Sequence, residues 1–283
     1  MKNLKQTRTA CALIAVAGCI AAAPVLAHHQ WQNFAWSADG TNPITPAVVD
    51  NTDSRWNGHV AQAVADWNAS QFIASPIEYG NNSSCAMVTG TIQVCNADYG
   101  DTGWLGIATI SHRDGVIVAG STKLNDNFFQ RDQYNTYAWR QLVTCQEIGH
   151  DYGLGHQNEN FNTDETTSCM EYTRLPEGNE GPDAHDYEQL VLMYGGTTGG
   201  TDGGGGRGRG GGNGGGNGGG KKKRNNDRVA LPAVGNTPSD WGRPTAFLPN
   251  GRPFRFERSV GNFQFVTHVT WAPDEHEGDD HHH

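Results

Sequence analysis

The stretch "CQEIGHDYGLGHQ", residues 145–157, decides how the rest of the chain is read. Positions four apart on an α-helix lie one above the other, so Gln146 and His150 face the same side and both can reach one cation. Glu147 sits one step round the helix, placed to hold a water in front of that cation. Gly153 tolerates left-handed backbone angles and lets the chain leave the helix abruptly. The bend then swings His156 back as a third ligand. Three protein ligands with a fourth position left for water make a catalytic rather than a structural zinc site. Zinc makes its water acidic enough for a nearby carboxylate to take the proton, so Glu147 is the expected general base.

Gln146 is the odd member of the set. An amide oxygen can ligate zinc, but carbonyl oxygen suits harder cations and imidazole suits zinc. The substitution therefore weakens retention of the metal more than it forbids the chemistry. Two alternatives stay open: Gln146 is a bystander while water or another side chain ligates, or the site holds no metal. His59, His112 and His185 are spare histidines, but none has a spacing that argues for it.

Around this motif the chain has 283 residues and a net charge of −10, which argues against nucleic acid as the main partner. Lys2, Lys5 and Arg8 precede an apolar run from Ala10 to Ala27, the pattern of a secretory signal peptide over residues 1–27. Val25-Leu26-Ala27 fits a cleavage site that leaves His28 first. Val16-Ala17-Gly18-Cys19 offers a rival, lipid-anchored reading through Cys19. No later run approaches the roughly 18 apolar residues of a membrane span. A secreted, monomeric protein is expected. Residues 28–194 carry a globular composition, and 195–228 form a Gly-rich and then basic linker. In 229–273, "RPFRFER" and "FQFVTHVTW" alternate as strands do, giving a small β unit or strands that dock on the main domain. Residues 274–283, ending His281-His282-His283, read as a solvated tail.

Helical spacing of Trp56, Val60, Ala63, Val64 and Trp67 predicts a first helix, capped by Thr52 or Asp53. A second is predicted over about 136–152 and a third over "DAHDYEQLVLMYG", stopped by Gly195. "PIEYG", "GTIQVCN", "WLGIATIS" and "GVIVAGSTKLN" read as strands. The class is α+β with a twisted, mostly one-sided sheet. Of the cysteines beyond Ala27, Cys85, Cys95, Cys145 and Cys169 allow three pairings; the two sequence-local ones, 85–95 and 145–169, are preferred over buried free thiols. Pairing of Cys145 with Cys169 would close a loop of about 25 residues, a contribution on the order of 3 kcal/mol. Asn125, Asp126 and Asn127 carry calcium-type oxygens, with a polar turn as the preferred reading. Asp151, Asn158 and Glu159 are placed on the surface near the helix end, and His185 and Asp186 at the start of the last helix.

With Glu147, His150, Gly153 and His156 in register and "SCMEY" at residues 168–172, the chain resembles the metzincin zinc peptidases, the clan of matrixins, astacins and serralysins. "GWLGIATIS" and "GVIVAGSTKLN" look like the matrixin-type strands that precede the active-site helix. "NTDSRWNGHVAQAVADWNAS", "AWRQLVTCQEIGHDYGLGHQNEN" and "AHDYEQL" resemble secreted metzincin-like proteins in which Gln itself precedes the Glu. The resemblance implies a zincin catalytic domain with an active-site helix, a Met-turn at Met170 and a C-terminal helix. It implies His150 and His156 as zinc ligands, Glu147 as general base, and Tyr172 as a residue that approaches the metal and stabilises the oxyanion. The activity implied is endoproteolysis of a protein or peptide lying extended along an edge strand. A catalytically weak or inactive binding or surface protein on the same fold is the alternative.

Overall fold

The structure, a computed structural model, describes residues 29–161, 166–196 and 228–273. The expected leader with its Cys19 alternative, nearly all of the Gly-rich and basic linker, and the 274–283 tail lie outside the described residues. In chain order the elements are β1 (Ala35–Trp36), β2 (Ala47–Asp50), α1 (Asn57–Trp67), β3 (Ile77–Tyr79), β4 (Thr91–Ala97), β5 (Trp104–Arg113) and β6 (Val116–Asn125). They continue with α2 (Asp126–Phe129), α3 (Tyr137–Asp151), α4 (Ala184–Tyr194), α5 (Pro238–Trp241), β7 (Arg243–Phe247), β8 (Pro253–Val260) and β9 (Phe263–Trp271).

These strands make one mixed sheet in the order β3-β2-β4-β6-β5-β9-β8-β7, with the short β1 paired to β6 off that path. Pairs from β3 to β6 are parallel and pairs from β6 to β7 are antiparallel. With five helices beside it among the described residues, the chain is α+β. β5 is buried along almost its whole length, as its near-continuous apolar run requires of a strand covered on both faces. β9 is covered too from Phe265 to Trp271. It pairs antiparallel with β5 over eight aligned positions, from Gln264 opposite His112 to Trp271 opposite Trp104. The β7–β9 unit therefore docks on β5 and extends the sheet.

The apolar spacing of α1 buries Val60, Ala63, Val64 and Trp67 in the main core, against α3 and the sheet. Its expected cap is corrected: Trp56 holds the N-cap position without a side-chain bond, while Thr52 bonds Asp50 and Asp53 pairs with Arg55. Thr136 caps α3 as the sequence suggests, accepting from Trp139 N at 3.2 Å. Asp183 and Asp186 form a reciprocal capping box on α4, and Gly195 ends it. The tail unit has its own apolar cluster, in which Phe254, Phe256, Val269 and Trp271 meet Trp104, Ile107 and Tyr172. Lys123 of β6 anchors the approach to that unit, donating to the Val234 carbonyl at 2.8 Å and to Asn236 Oδ1 at 2.7 Å. Burial lowers the Lys123 pKa to about 8.

Candidate metal centre

α3 is buried on nearly every side from Gln141 to Asp151, because it lies between α1 and the β5–β6 hairpin. Its end is shaped by backbone chemistry. Gly153 takes φ +92° and donates to the His150 carbonyl at 2.8 Å, and a Cβ there would run into the Phe34 carbonyl. The first described residues brace the bend: Trp31 N donates to Gly153 O at 2.8 Å and Gly155 N to His29 O at 2.5 Å. The chain then returns His156 to α3, its Nε2 3.2 Å from His150 Nε2. His150 Nδ1 lies 2.8 Å from the Leu154 carbonyl. That carbonyl can only accept, so the proton sits on Nδ1 and the Nε2 lone pair is left for a ligand.

A third imidazole arrives from the other end of the chain. His268 of β9 stacks on His150 with ring centroids 3.8 Å apart and lies 4.4 Å from the His156 ring. One nitrogen from each of His150, His156 and His268 falls within 4.8 Å of the others. Zinc nitrogens sit about 2.0–2.1 Å from the ion, hence about 3.4 Å from one another in a tetrahedron. The His150–His156 pair already stands near that spacing, and the cluster is somewhat wider elsewhere.

The donor set fits a cation. Both ring nitrogens of His268 and Nδ1 of His156 are buried without a hydrogen-bond partner, and the Glu147 carboxyl is fully buried with Thr270 and the Ala108 backbone as its hydrogen-bonding neighbours. A buried polar group left unpaired costs about 1–3 kcal/mol, and an ion held by one nitrogen of each ring would relieve part of that cost at His268. Burial lowers the His150 pKa to about 4 and holds His156 and His268 well below the usual imidazole value. All three are neutral near pH 7, the form that ligates metal. Burial, with the Asp151 carboxylate adding to it, pushes Glu147 well above the ordinary carboxyl range. A divalent ion beside it would reverse that effect. The small residues of β5 make the space. A Cβ on Gly106 would stand 2.6 Å from Glu147 Oε1, and Ala108 lies opposite His268 in the β5–β9 register.

Gln146 does something other than the ligand role the sequence suggested. Its amide nitrogen donates to Cys169 O at 2.8 Å and Glu171 O at 3.1 Å, and its Oε1 accepts from the Thr270 hydroxyl at 2.7 Å. It ties α3 to the 168–172 turn and to β9. The disulfide Cys145–Cys169 reinforces the first of those ties, and Cys85–Cys95 closes the other local loop. Met170 is fully buried in the main core under α3, and a Cβ on Gly149 would meet its sulfur at 2.6 Å. The Tyr172 ring lies 4.1 Å from the His156 ring, but its hydroxyl is committed to the Val269 carbonyl at 3.0 Å.

Other expected residues lie elsewhere. His59 bonds Gln141 and His112 accepts from Gly115 N, so neither joins the cluster, and His185 stands on α4. Asp151 is buried, a correction to its expected surface position: α3 packs on β6, where Thr122 donates to its carboxylate at 2.9 Å. Asn125 spends its amide on Gly100, Thr102 and Trp104, and Asp126 accepts from Trp56, Arg55 and Asn96. These are the bonds of a polar turn opening α2.

The motif spacing that singles out His150 and His156 does not reach His268. One signal pointed to it: Val266, His268 and Thr270 share a strand face, and a histidine there faces whatever covers that face. No protein-family model matches this chain, and no curated protein matches it either.

Proposed function

We propose that the chain is a zinc-dependent peptidase of metzincin type in which the C-terminal β unit supplies the third ligand. The observation that carries this reading is the meeting of three buried imidazoles, with the buried Glu147 carboxyl on the same helix as the first of them. His150, His156 and His268 would hold the ion. Bound there, zinc supplies Lewis acidity that activates a water and polarises an amide carbonyl. Glu147 would serve as the general base towards such a water and as the proton donor to a leaving amine. The Leu154 carbonyl keeps His150 in the tautomer that leaves Nε2 free to ligate. Trp31, 5.6 Å from the rings of both His150 and His268, helps to keep bulk water out. A secreted location belongs to the same proposal. It is supported by the two disulfides, and among the described residues no helix is long and apolar enough to cross a membrane.

One observation favours a second, non-catalytic reading. The outer edge of β5, along which an extended peptide would pair, is already taken by β9. Metal analysis of the purified chain together with casein turnover separates the readings. About one zinc per chain, with turnover abolished in Glu147→Gln, supports the peptidase. One zinc without turnover supports a metal-holding binding protein, and no zinc under saturating supply removes both.

A further inference from the structure

The third histidine belongs to a unit that the motif helix does not contain. His268 lies on β9, 112 residues beyond His156 (268 − 156), and it is 2% exposed with neither ring nitrogen hydrogen-bonded. Two neighbours on β9 also reach the motif side: Thr270 donates to Gln146, and the Val269 carbonyl accepts from Tyr172. β9 covers β5 across the positions that face Glu147 and His268, since Gly106 pairs with Thr270 and Ala108 with His268. We infer that the metal ion and the C-terminal β unit hold each other in place: the ion clamps β9 onto β5 through His268, and opening of β9 uncovers the β5 edge and surrenders one ligand. This inference rests on the three-histidine centre proposed above and adds a coupling between metal content and access to the edge strand.

The physics sets the direction. With no ion, closing β9 buries two imidazole nitrogens that water would otherwise satisfy, which opposes docking. With the ion, the same closure completes a coordination set. Apolar burial of Phe265, Val266, Val269 and Trp271 keeps β9 docked in both states. The ion therefore acts on how rarely β9 opens, not on whether it is docked. A ligand that binds only the closed form at 100 times its dissociation constant makes opening about 100-fold rarer. Residual binding by His150 and His156 in the open form reduces that factor, so an effect of about 10- to 100-fold is expected.

The test is hydrogen exchange of the full-length protein, chelator-treated against zinc-loaded, read at the amides of β9 and β5. Zinc should slow exchange at 265–271 by about 10- to 100-fold, and His268→Ala should abolish that slowing while residues 150–156 still respond to zinc. His268→Asn serves in the same role where the alanine variant does not fold. If one zinc binds per chain and β9 exchange is unchanged within about twofold, the clamp is wrong and the peptidase reading stands. If no zinc binds, the centre itself is wrong and the clamp falls with it.

Discussion

Two regions of the chain build the candidate site, and they differ in how they are held. Residues 146–156 are a local device: a capped helix, a glycine bend and a returning histidine, braced by the 145–169 disulfide and by the first described residues. The β7–β9 unit reaches the same point through strand pairing over a long separation in sequence. A helix end and its bend bring His150 and His156 together locally, whereas His268 joins them only when the whole sheet is assembled. On the proposed reading, a remote strand completes a motif that has one weak position, and metal affinity would then report on tertiary structure.

Ligand deletion breaks this comparison most sharply. His150→Ala and His156→Ala should each lower zinc affinity by more than about 100-fold, since even the loss of an outer-shell partner costs 10- to 100-fold. His268→Ala should cost as much, measured by competition with a chromophoric chelator. An unchanged affinity in that variant would leave the motif region as the sole metal holder.

Acid comes next in size. The folded pKa of His150 is about 4, below its ordinary 6.5, because burial disfavours the charged ring. The unfolded chain therefore takes up the proton first, and stability of the metal-free protein falls as pH drops from about 6.5 to about 4. At about 1.4 kcal/mol per pH unit that is roughly 3 kcal/mol from this residue. His156 and His268 are shifted the same way and add to it. The buried carboxyls of Glu147 and Asp151, shifted upward by the same burial, oppose this loss. Urea unfolding of chelated protein at pH 7 and pH 4.5 is therefore compared between wild type and His150→Asn: the acid-induced change should be less destabilising in the variant, and identical changes would contradict the burial argument.

Gln146→His separates the two regions at their junction. An imidazole cannot reproduce two donated bonds to the 168–172 turn together with an accepted bond from Thr270. The variant should lose about 1–3 kcal/mol of stability and gain no zinc affinity. Tighter zinc binding would restore Gln146 to the ligand shell. The smallest effect belongs to Arg228→Ala. Its pair with Glu78, 2.6 Å apart at the surface, joins the start of the tail segment to β3. Removal should cost under about 1 kcal/mol and leave zinc binding unaltered.

Periodicity made much of the fold readable in the sequence. Trp56 to Trp67 marks α1, Thr136 marks the start of α3, and the alternation in "FQFVTHVTW" marks β9. β1 and β2 escaped, since two and four residues carry no period. The sequence also showed that 229–273 holds strands, but strand pairing is non-local, and nothing along the chain announces that β9 lies on β5. The same limit explains the site. Spacing places His150 and His156 on one side of a bend, but the amide of Gln146 is claimed by Thr270, and that contact requires β9 to be in place. A helix wheel shows where a side chain points and is silent on which partner has already taken it.

Diffraction from zinc-loaded crystals at the zinc absorption edge tests the central claim most directly. The account predicts one anomalous peak about 2.0–2.1 Å from a nitrogen of each of His150, His156 and His268, with the Gln146 amide still bonded to Cys169, Glu171 and Thr270. A peak ligated by Gln146 Oε1 with His268 turned away would contradict it.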